Sequence, residues 1–201
     1  LGHLLDHQKR FVRDASHQLR TPLAVLKTQV QSARRGDLDP MVALAEIGDT
    51  VDRATVLANH MLALAKVEQI RPQADTPALD WAEVVRAVAL DLSALIAERR
   101  LDFDIETQPA SVRSHEWALR ELSRNLIHNA IKHGPAGGRL AIRLVADRHH
   151  AALTVSDSGP GLTPQQRARL FQPFAAGDPR SGSGLGLAIC REIVQTLGGQ
   201  I

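Results

Sequence analysis

"HEWALRELSRNLIHNAIKHG", residues 115–134, carries apolar side chains at helical spacing and ends at a glycine followed by a proline. This pattern predicts a long helix that stops at Gly134. Asn125, Asn129 and His133 are four residues apart and would share one face of that helix. The opposite face would hold the apolar side chains, which are Leu122, Leu126, Ile127, Ala130 and Ile131. We therefore expect a helix with one buried face and one polar face.

The two asparagines on the polar face have two interpretations. A face exposed to solvent accounts for them, although asparagine is only a moderate helix former. Alternatively, amide oxygens can coordinate a hard cation such as Mg²⁺, which commonly bridges to phosphate groups. Lys132, beside the same face, could meet a phosphate as a point charge. The helix by itself leaves both interpretations open.

A first glycine-containing stretch, "VSDSGPGLTP", covers residues 155–164. Asp157, Gly159 and Gly161 come directly after an apolar run that is typical of a strand. A hairpin turn would explain the glycines. So would a backbone that must adopt a positive φ or approach another group closely.

A second glycine-containing stretch, "RSGSGLGLAI", covers residues 180–189. Gly182, Gly184 and Gly186 lead into an apolar helix, where bare backbone N–H groups can face a bound phosphate. The stretch matches neither the phosphate-loop fingerprint nor the dinucleotide-binding one. Phosphate binding at this position is therefore a hypothesis that needs support from the rest of the chain.

The chain before residue 71 has an almost entirely helical pattern. Residues 34–40, "RRGDLDP", interrupt it with Gly36 and Pro40, so we expect two long helices that form an antiparallel hairpin. Each helix carries one apolar stripe. The stripes are Phe11, Ala15, Leu19, Leu23, Leu26, Val30 and Ala33, and Ile47, Val51, Ala54, Leu57, Met61, Leu64 and Ala65. A hairpin leaves such stripes half exposed, which favours a second copy and a four-helix bundle.

Residues 71–80, "RPQADTPALD", contain prolines and few apolar residues and predict a linker. Beyond it the pattern mixes helices with strands. The predicted strands are "LDFDIET" (101–107), "GRLAIRLVAD" (138–147) and "HHAALTVSD" (149–157), and the last two are expected to pair. The fold class expected is therefore an α-helical hairpin, dimeric as a four-helix bundle, followed by an α+β sandwich.

Composition excludes several classes of protein. The 24 Lys and Arg residues nearly balance the 22 Asp and Glu residues, and aromatic residues make up 3% of the chain, so we expect no nucleic-acid partner. A single cysteine, Cys190, excludes an internal disulfide framework. No apolar run approaches the roughly 20 residues of a membrane span, so we expect no membrane contact from these residues. The chain opens at Leu1 without an initiator Met, and we expect it to be a fragment.

Five short motifs follow one another along the sequence and together resemble those of a known family. They are "DASHQLRTPLAVL" (14–26), "NLIHNAIKHG" (125–134), "DSGPG" (157–161), "FQPF" (171–174) and "GSGLGLAI" (182–189). In this order they resemble the H, N, G1, F and G2 boxes of sensor histidine kinases. The resemblance implies a dimerisation and phosphoacceptor domain over 1–70, a linker over 71–80 and an ATP-binding domain of the Bergerat type over 81–201.

Residues of the first motif carry over individually. By resemblance, His17 accepts the γ-phosphoryl group of ATP, and Thr21 lies where the family holds the water that dephosphorylates a response regulator. Gln18 departs from the family, which commonly has an acid there. Glutamine brings no charge, so we expect His17 to be a somewhat weaker nucleophile than its counterparts.

The other motifs imply a site for ATP and Mg²⁺. By resemblance, Asn129 is a Mg²⁺ ligand supported by Asn125, and Lys132 and His133 contact phosphates. Asp157 accepts a hydrogen bond from the adenine amino group, and Gly159 and Gly161 let the chain turn around the base. By the same resemblance, Gly182, Gly184, Leu185 and Gly186 form the loop whose backbone holds the phosphates. The "FQPF" motif could attach a mobile lid.

The resemblance also implies partners and a location. The phosphoryl group would pass from His17 to an aspartate of a response regulator receiver domain. The chain would form a homodimer and would be the cytoplasmic portion of a bacterial inner-membrane sensor protein. Relatives continue beyond "LGGQI" through further strands, so we expect the C-terminal strand to be missing.

Two alternatives belong to other classes. Gyrase-like and chaperone-like ATPases share the Bergerat fold, but they carry a water-activating glutamate one helical turn before the metal asparagine. Asn125 occupies that place here and cannot act as a base, which favours a kinase. A dimeric scaffold without turnover is the second alternative, and it is disfavoured because the nucleotide motifs are intact.

Overall fold

A computed structural model of the chain describes residues 2–37, 39–67, 76–173 and 184–201, with the side chains of the first helix described from Leu19 onward. The described residues divide into two compact units, one that ends at Leu62 and one that begins at Ala63.

Two long helices make up the first unit, as predicted. Helix α1 spans Gly2–Arg35 and helix α2 spans Pro40–Val67, with the unit boundary inside α2. Gly36 has a φ of 75°, which a residue with a side chain rarely adopts, and it ends α1. Asp39 begins α2, because its carboxylate accepts hydrogen bonds from the N–H groups of Met41 (2.8 Å) and Val42 (3.4 Å).

The apolar stripes of this hairpin are only partly covered. Leu57, Met61 and Leu64 are buried, whereas Leu23 is 61% exposed, and Val30 and Val51 are also exposed. The side chains of Phe11 and Ala15 lie outside the described residues. The half-exposed stripe that the sequence predicted is thus present along the hairpin.

The first strand of the second unit is short and was not predicted from the sequence. Residues 78–80 of the predicted linker form strand β1 (Ala78–Asp80), while residues 71–75 lie outside the described part of the chain. Strand β1 pairs antiparallel with β3 (Ser111–Arg113). The Asp80 carboxylate accepts hydrogen bonds from Ala82 N (3.1 Å) and Ala110 N (2.8 Å) and so begins the next helix. The pairing strand lies about 30 residues away along the chain, which is why local composition predicted only a linker.

Helices cover one face of a three-stranded sheet. The helices between β1 and β3 are α3 (Trp81–Asp91) and α4 (Ser93–Glu98), followed by strand β2 (Asp102–Thr107). The remaining elements are α5 (Glu116–His133), β4 (Arg139–Ala146), β5 (Ala151–Asp157), α6 (Pro164–Arg169) and α7 (Gly186–Thr196).

The sheet has the order β2-β4-β5. Strands β2 and β4 are parallel, and β4 and β5 are antiparallel with Leu140 opposite Asp157. Leu140, Ile142 and Leu144 of β4 are buried, whereas the alternate residues Arg139 and Arg143 are exposed. The three predicted strands and the expected pairing of the last two are confirmed.

Helix α5 matches the prediction for residues 115–134. It packs against α3 and α7 and lies over β5. Of its predicted apolar face, four residues are buried and Leu126 is half-buried. The fold class expected from the sequence, a helical hairpin followed by an α+β sandwich, is confirmed.

Helix α6 was not predicted, although a local sequence pattern indicates its start. Thr163 and Gln166 form a capping box, in which the Thr163 hydroxyl accepts from Gln166 N and the Gln166 side chain accepts from Thr163 N. Pro164 follows at the first helical position. The surrounding glycines and prolines favoured an irregular segment, so the sequence analysis missed this helix of six residues. Within the described residues, none of the helices is both long and apolar enough to cross a membrane.

A buried hydrogen-bond chain connects α3 to α5. The indole Nε1 of Trp81 donates to Ser123 Oγ (3.0 Å), and Ser123 Oγ donates to the carbonyl oxygen of Leu119 (2.7 Å). Ser123 is 0% exposed, so no water can replace the hydroxyl as acceptor. The hydrogen bonds thus satisfy the buried indole N–H of Trp81 where α3 packs on α5.

We predict that Ser123→Ala destabilises the second unit by about 1–3 kcal/mol, because the buried Trp81 N–H loses its acceptor. Denaturant unfolding followed by tryptophan fluorescence measures this, since both tryptophans, Trp81 and Trp117, lie in the second unit. Ser156→Ala, on the exposed face of β5, is the matched control and should change stability by less than about 0.5 kcal/mol. Equal midpoints for the two variants would contradict the prediction.

Candidate nucleotide-binding site

The polar face of α5 is as the sequence predicted. Asn125, Asn129 and Lys132 are half-buried on it, and His133 is exposed at its end. The face stays accessible because the opposite side of the helix packs against α3, α7 and the sheet. Burial lowers the pKa of the Lys132 ammonium from its ordinary value.

The amide of Asn125 has a fixed orientation. Its Nδ2 donates to Glu121 Oε1 at 2.9 Å, one helical turn earlier. An ionised carboxylate can only accept, so the amide nitrogen must face Glu121 and the amide oxygen must face the other way. That oxygen faces the first residue of α7, because a Cβ built on Gly186 would lie 3.0 Å from Asn125 Oδ1.

Glycines let the start of α7 come close to α5. A Cβ on Gly186 would lie 3.0 Å from Asn125 Oδ1 and 3.5 Å from Asn125 Cγ, so any side chain there would crowd the Asn125 amide. Gly184 has a φ of 64°, which also favours glycine. Leu185, between them, is 0% exposed and anchors the loop in the core. Gly182, the first glycine of this motif, lies outside the described residues, as does Phe174 of the "FQPF" motif.

The "DSGPG" motif forms a turn that is closed by its own aspartate. Gly159 N donates to Asp157 Oδ1 at 2.7 Å. A Cβ on Gly159 would lie 2.6 Å from that oxygen and 3.0 Å from the carbonyl oxygen of His133, so the turn requires glycine there. Gly161 has a φ of 74°. The hairpin-turn interpretation is wrong, because β5 is followed by helix α6 and not by a pairing strand.

The turn after β5 lies beside the end of α5. Asp157 Cβ is 3.9 Å from the position of a Cβ on Gly134, the residue that ends the helix. The structure thus brings three predicted segments together around α5: the polar face of the helix, the "DSGPG" turn at its C-terminal end and the glycine loop before α7.

Cations gather where α5 ends. Arg99 Nη2 donates to the carbonyl oxygen of Lys132 at 2.9 Å, which places a guanidinium at the negative end of the helix dipole. Desolvation lowers the pKa of His133, the charges of Lys132 and Arg99 lower it further, and the Asp157 carboxylate opposes them. His133 is therefore more readily neutral than an isolated histidine.

The residues of the first motif lie on another element. His17, Gln18 and Thr21 all belong to α1, in the first unit, and α1 continues through Pro22. Thr21 is exposed, and it is four residues after His17, which puts the two residues on the same face of the helix. The side chains of His17 and Gln18 lie outside the described residues.

Sequence reasoning missed two residues that are hydrogen-bonded to residues of the site, Glu121 and Arg99. Glu121 could have been predicted from the sequence, since a carboxylate and an asparagine four residues apart on a helix regularly form a hydrogen bond. Arg99 had no local signal, because it reaches Lys132 across 33 positions of the chain.

The lowered pKa of His133 predicts a pH dependence of stability. The unfolded chain takes up a proton near the ordinary value of 6.5, whereas the folded unit does so only at lower pH. The contribution of neutral His133 to stability is therefore complete above pH 6.5 and is lost as the pH falls from 6.5 through the lowered pKa. His133→Asn should lose less stability than the wild type over this interval, as measured by denaturant midpoints. Parallel midpoints, or an NMR titration of the His133 ring at or above 6.5, would contradict the prediction.

Two family models match the chain. The His Kinase A (phospho-acceptor) domain matches residues 7–70, which include α1 from residue 7 onward and all of α2. The histidine kinase-, DNA gyrase B-, and HSP90-like ATPase domain matches residues 114–201, which include α5, the "DSGPG" turn and α7.

Similar proteins include sensor kinases from several bacteria. Sensor protein QseC of Escherichia coli (strain K12) is 30% identical over 202 residues, which is 97% of this chain and 44% of QseC. Signal transduction histidine-protein kinase/phosphatase MprB of Mycobacterium ulcerans is 34% identical over 212 residues, which is 98% of this chain and 40% of MprB. The chain therefore spans less than half the length of these curated relatives.

Solved structures agree with the fold. Histidine kinase AdeS of Acinetobacter baumannii has a TM-score of 0.73 at 25% identity, covering 90% of this chain and 86% of AdeS. Histidine kinase ThkA, solved in complex with response regulator protein TrrA, has a TM-score of 0.76 at 19% identity, covering 98% of this chain and 57% of ThkA. Because the phospho-acceptor match falls on the hairpin and the ATPase match on the unit that carries the site, in the order that the motifs predicted, this chain belongs to the family of sensor histidine kinases.

Proposed function

We propose that this chain is an ATP-dependent protein-histidine kinase, which phosphorylates His17 and then passes the phosphoryl group to an aspartate of a response regulator receiver domain. The observation that carries the proposal is the close approach of the start of α7 to the Asn125 amide oxygen, which lies 3.0 Å from where a Cβ on Gly186 would be. It places the amide oxygens of α5 next to the glycine loop. The oxygens could hold Mg²⁺ and the backbone N–H groups of the loop could bind the phosphates of a nucleotide.

The adenine end of the site would lie at the "DSGPG" turn. Asp157 is exposed, and its Oδ1 already accepts from Gly159 N, which fixes the direction of the carboxylate. An ionised carboxylate has two oxygens and several acceptor positions, so it can also accept a hydrogen bond from the adenine amino group. Gly161, with its positive φ, would turn the chain around the base.

The phosphate end would lie between α5 and α7. Asn129, with Asn125 beside it, presents amide oxygens of the type that Mg²⁺ accepts, and Mg²⁺ when bound would neutralise phosphate charge. Lys132 and His133 would contact phosphate oxygens. The backbone of Gly182, Gly184, Leu185 and Gly186 would surround the phosphates with N–H groups at the start of α7.

The two reacting groups would come from different units. A neutral imidazole nitrogen of His17 would attack the γ-phosphorus in line while the bond to the bridging oxygen breaks and ADP leaves. The contribution of the second unit is to hold ATP and to counter its charge, because phosphoryl transfer depends chiefly on positioning and electrostatics.

The site favours transfer over hydrolysis. Asn125 stands where related ATPases carry their water-activating glutamate, and an amide cannot take a proton from water. A second candidate activity, dephosphorylation of the response regulator, is favoured by Thr21, which is exposed on the same face of α1 as His17. Thr21 would hold the attacking water.

The proposal extends to assembly and organisation. Several large apolar side chains of the hairpin are exposed, among them Met41 at 73% and Leu62 at 61%, and a second copy would cover them in a homodimeric four-helix bundle. We assign residues 1–70 to dimerisation and phosphoacceptance, 71–80 to the linker and 81–201 to ATP binding. The named relatives are sensor proteins that extend well beyond this chain, which supports its assignment as the cytoplasmic portion of a membrane sensor.

The test of the proposed function is self-labelling with γ-labelled ATP. His17→Ala should abolish acid-labile, base-stable label on the protein and leave ATP binding intact, because acceptor and nucleotide lie in different units. Asn129→Ala should remove the Mg²⁺-dependent part of ATP binding, measured by calorimetry, without unfolding the domain. Label at the wild-type rate in His17→Ala would overturn the acceptor assignment, and unchanged Mg·ATP affinity in Asn129→Ala would overturn the ligand assignment.

Gly159→Ala tests the adenine end. The new Cβ would meet Asp157 Oδ1 at 2.6 Å and push the carboxylate away from its fixed direction, so we expect ATP affinity to fall by about tenfold or more. Gly48→Ala is the matched control, since nothing lies within 4 Å of its Cβ on α2. If both variants bind ATP like the wild type, Asp157 does not hold the base.

A further inference from the structure

The carboxylate of Glu121 is bonded to a residue of the candidate site without being part of it. Glu121 and Asn125 are one turn apart on α5, and the bond from Asn125 Nδ2 to Glu121 Oε1 is 2.9 Å long. The arginines on either side of Glu121 are directed elsewhere. Arg120 Nη1 lies 2.8 Å from Asp91 Oδ2, and Arg124 Nη1 lies 4.0 Å from the same oxygen.

Glu121 is half-buried, and its charge is felt on α7. Its charge acts on Cys190 of α7, whose Sγ contacts the carbonyl oxygen of Leu122 at 3.8 Å. Burial is the first cause of the raised pKa of the Cys190 thiol, and the charge of Glu121 is the second. The carboxylate therefore lies near the α5–α7 contact, where the Asn125 amide also lies.

The direction of the Asn125 amide decides what the site offers to a ligand. With the nitrogen held by Glu121, the oxygen faces Gly186, at 3.0 Å from the position of its absent Cβ. If the amide were rotated by half a turn, two N–H groups would face the glycine loop instead. An oxygen is attractive to a cation at that place, and an NH₂ group is repulsive.

We propose that Glu121 is a positioning residue that fixes the Asn125 amide with its oxygen toward the nucleotide. The inference rests on the proposed function for its consequence in ATP binding, but the orientation itself is a property of the protein without ligand. Glu121 is not a catalytic residue in this scheme, since it acts through the Asn125 amide and not on the nucleotide.

The first experiment reads the orientation directly, in the protein without nucleotide. Nitrogen-15 NMR of the Asn125 side-chain NH₂ should show one proton shifted by its bond to a carboxylate, and Glu121→Ala should abolish that shift. Glu116→Ala is the matched control, because it removes the same charge from the exposed first turn of the same helix. An Asn125 signal that is unchanged in Glu121→Ala would overturn the inference whatever the enzyme does.

The second experiment reads the consequence. Glu121→Ala should raise KM for Mg·ATP in self-labelling by about fivefold to tenfold, whereas nucleotide affinity measured with the metal chelated should stay at the wild-type value. In an Asn125→Ala background, Glu121→Ala should have no further effect, because the residue acts through that amide. A merely structural role would instead weaken binding with and without metal and would add to Asn125→Ala, and that result overturns the inference.

Failure of the inference is distinguishable from failure of the proposed function. If wild-type protein acquires no label on His17, the kinase proposal fails and the NMR measurement still reads the amide. If wild-type protein is labelled and Glu121→Ala has the wild-type KM, the inference alone fails.

Discussion

Burial of the apolar face of α5 is the interaction on which the second unit depends. Leu119, Ile127 and Ile131 are each fully buried there, and a side chain of this size contributes about 1.5–3 kcal/mol when it is removed from water. The same packing fixes the rotation of the helix about its axis. Once the apolar face is turned toward α3, α7 and the sheet, Asn125 and Asn129 must lie on the accessible side. The chemistry of the site is therefore positioned by the core.

Close approach of the backbone is the second constraint. The start of α7 and the turn after β5 approach α5 closely at Gly186 and at Gly159, where a side chain is absent. Each of these glycines faces a polar atom of the site, the Asn125 amide oxygen in one case and the Asp157 carboxylate in the other. A site that is proposed to bind phosphates and a base through backbone and short polar groups would have no room for a Cβ at these points.

The carboxylates of the second unit illustrate how one residue type takes different roles. Asp80 begins a helix by accepting two backbone N–H bonds, and Asp157 closes its own turn through Gly159. Glu121 accepts from an amide on its own helix. In each case a neighbouring donor fixes the direction of the carboxylate.

The sequence by itself determined the features that depend on neighbours along the chain. Apolar spacing within 115–134 predicted α5 and its two faces, and Gly36 and Pro40 predicted the break between α1 and α2. The order of the motifs predicted the family and, through it, the candidate residues. Even the two local signals that were missed, the capping box of α6 and the Glu121–Asn125 spacing, act over three or four residues. Only the tertiary structure decided that 78–80 pair with a distant strand, that Arg99 reaches the end of α5, and that Gly186 and Gly159 press against polar atoms of the site. Periodicity reports which face of an element is apolar, whereas these contacts join residues far apart in the chain and exist only after the core has fixed the elements in place.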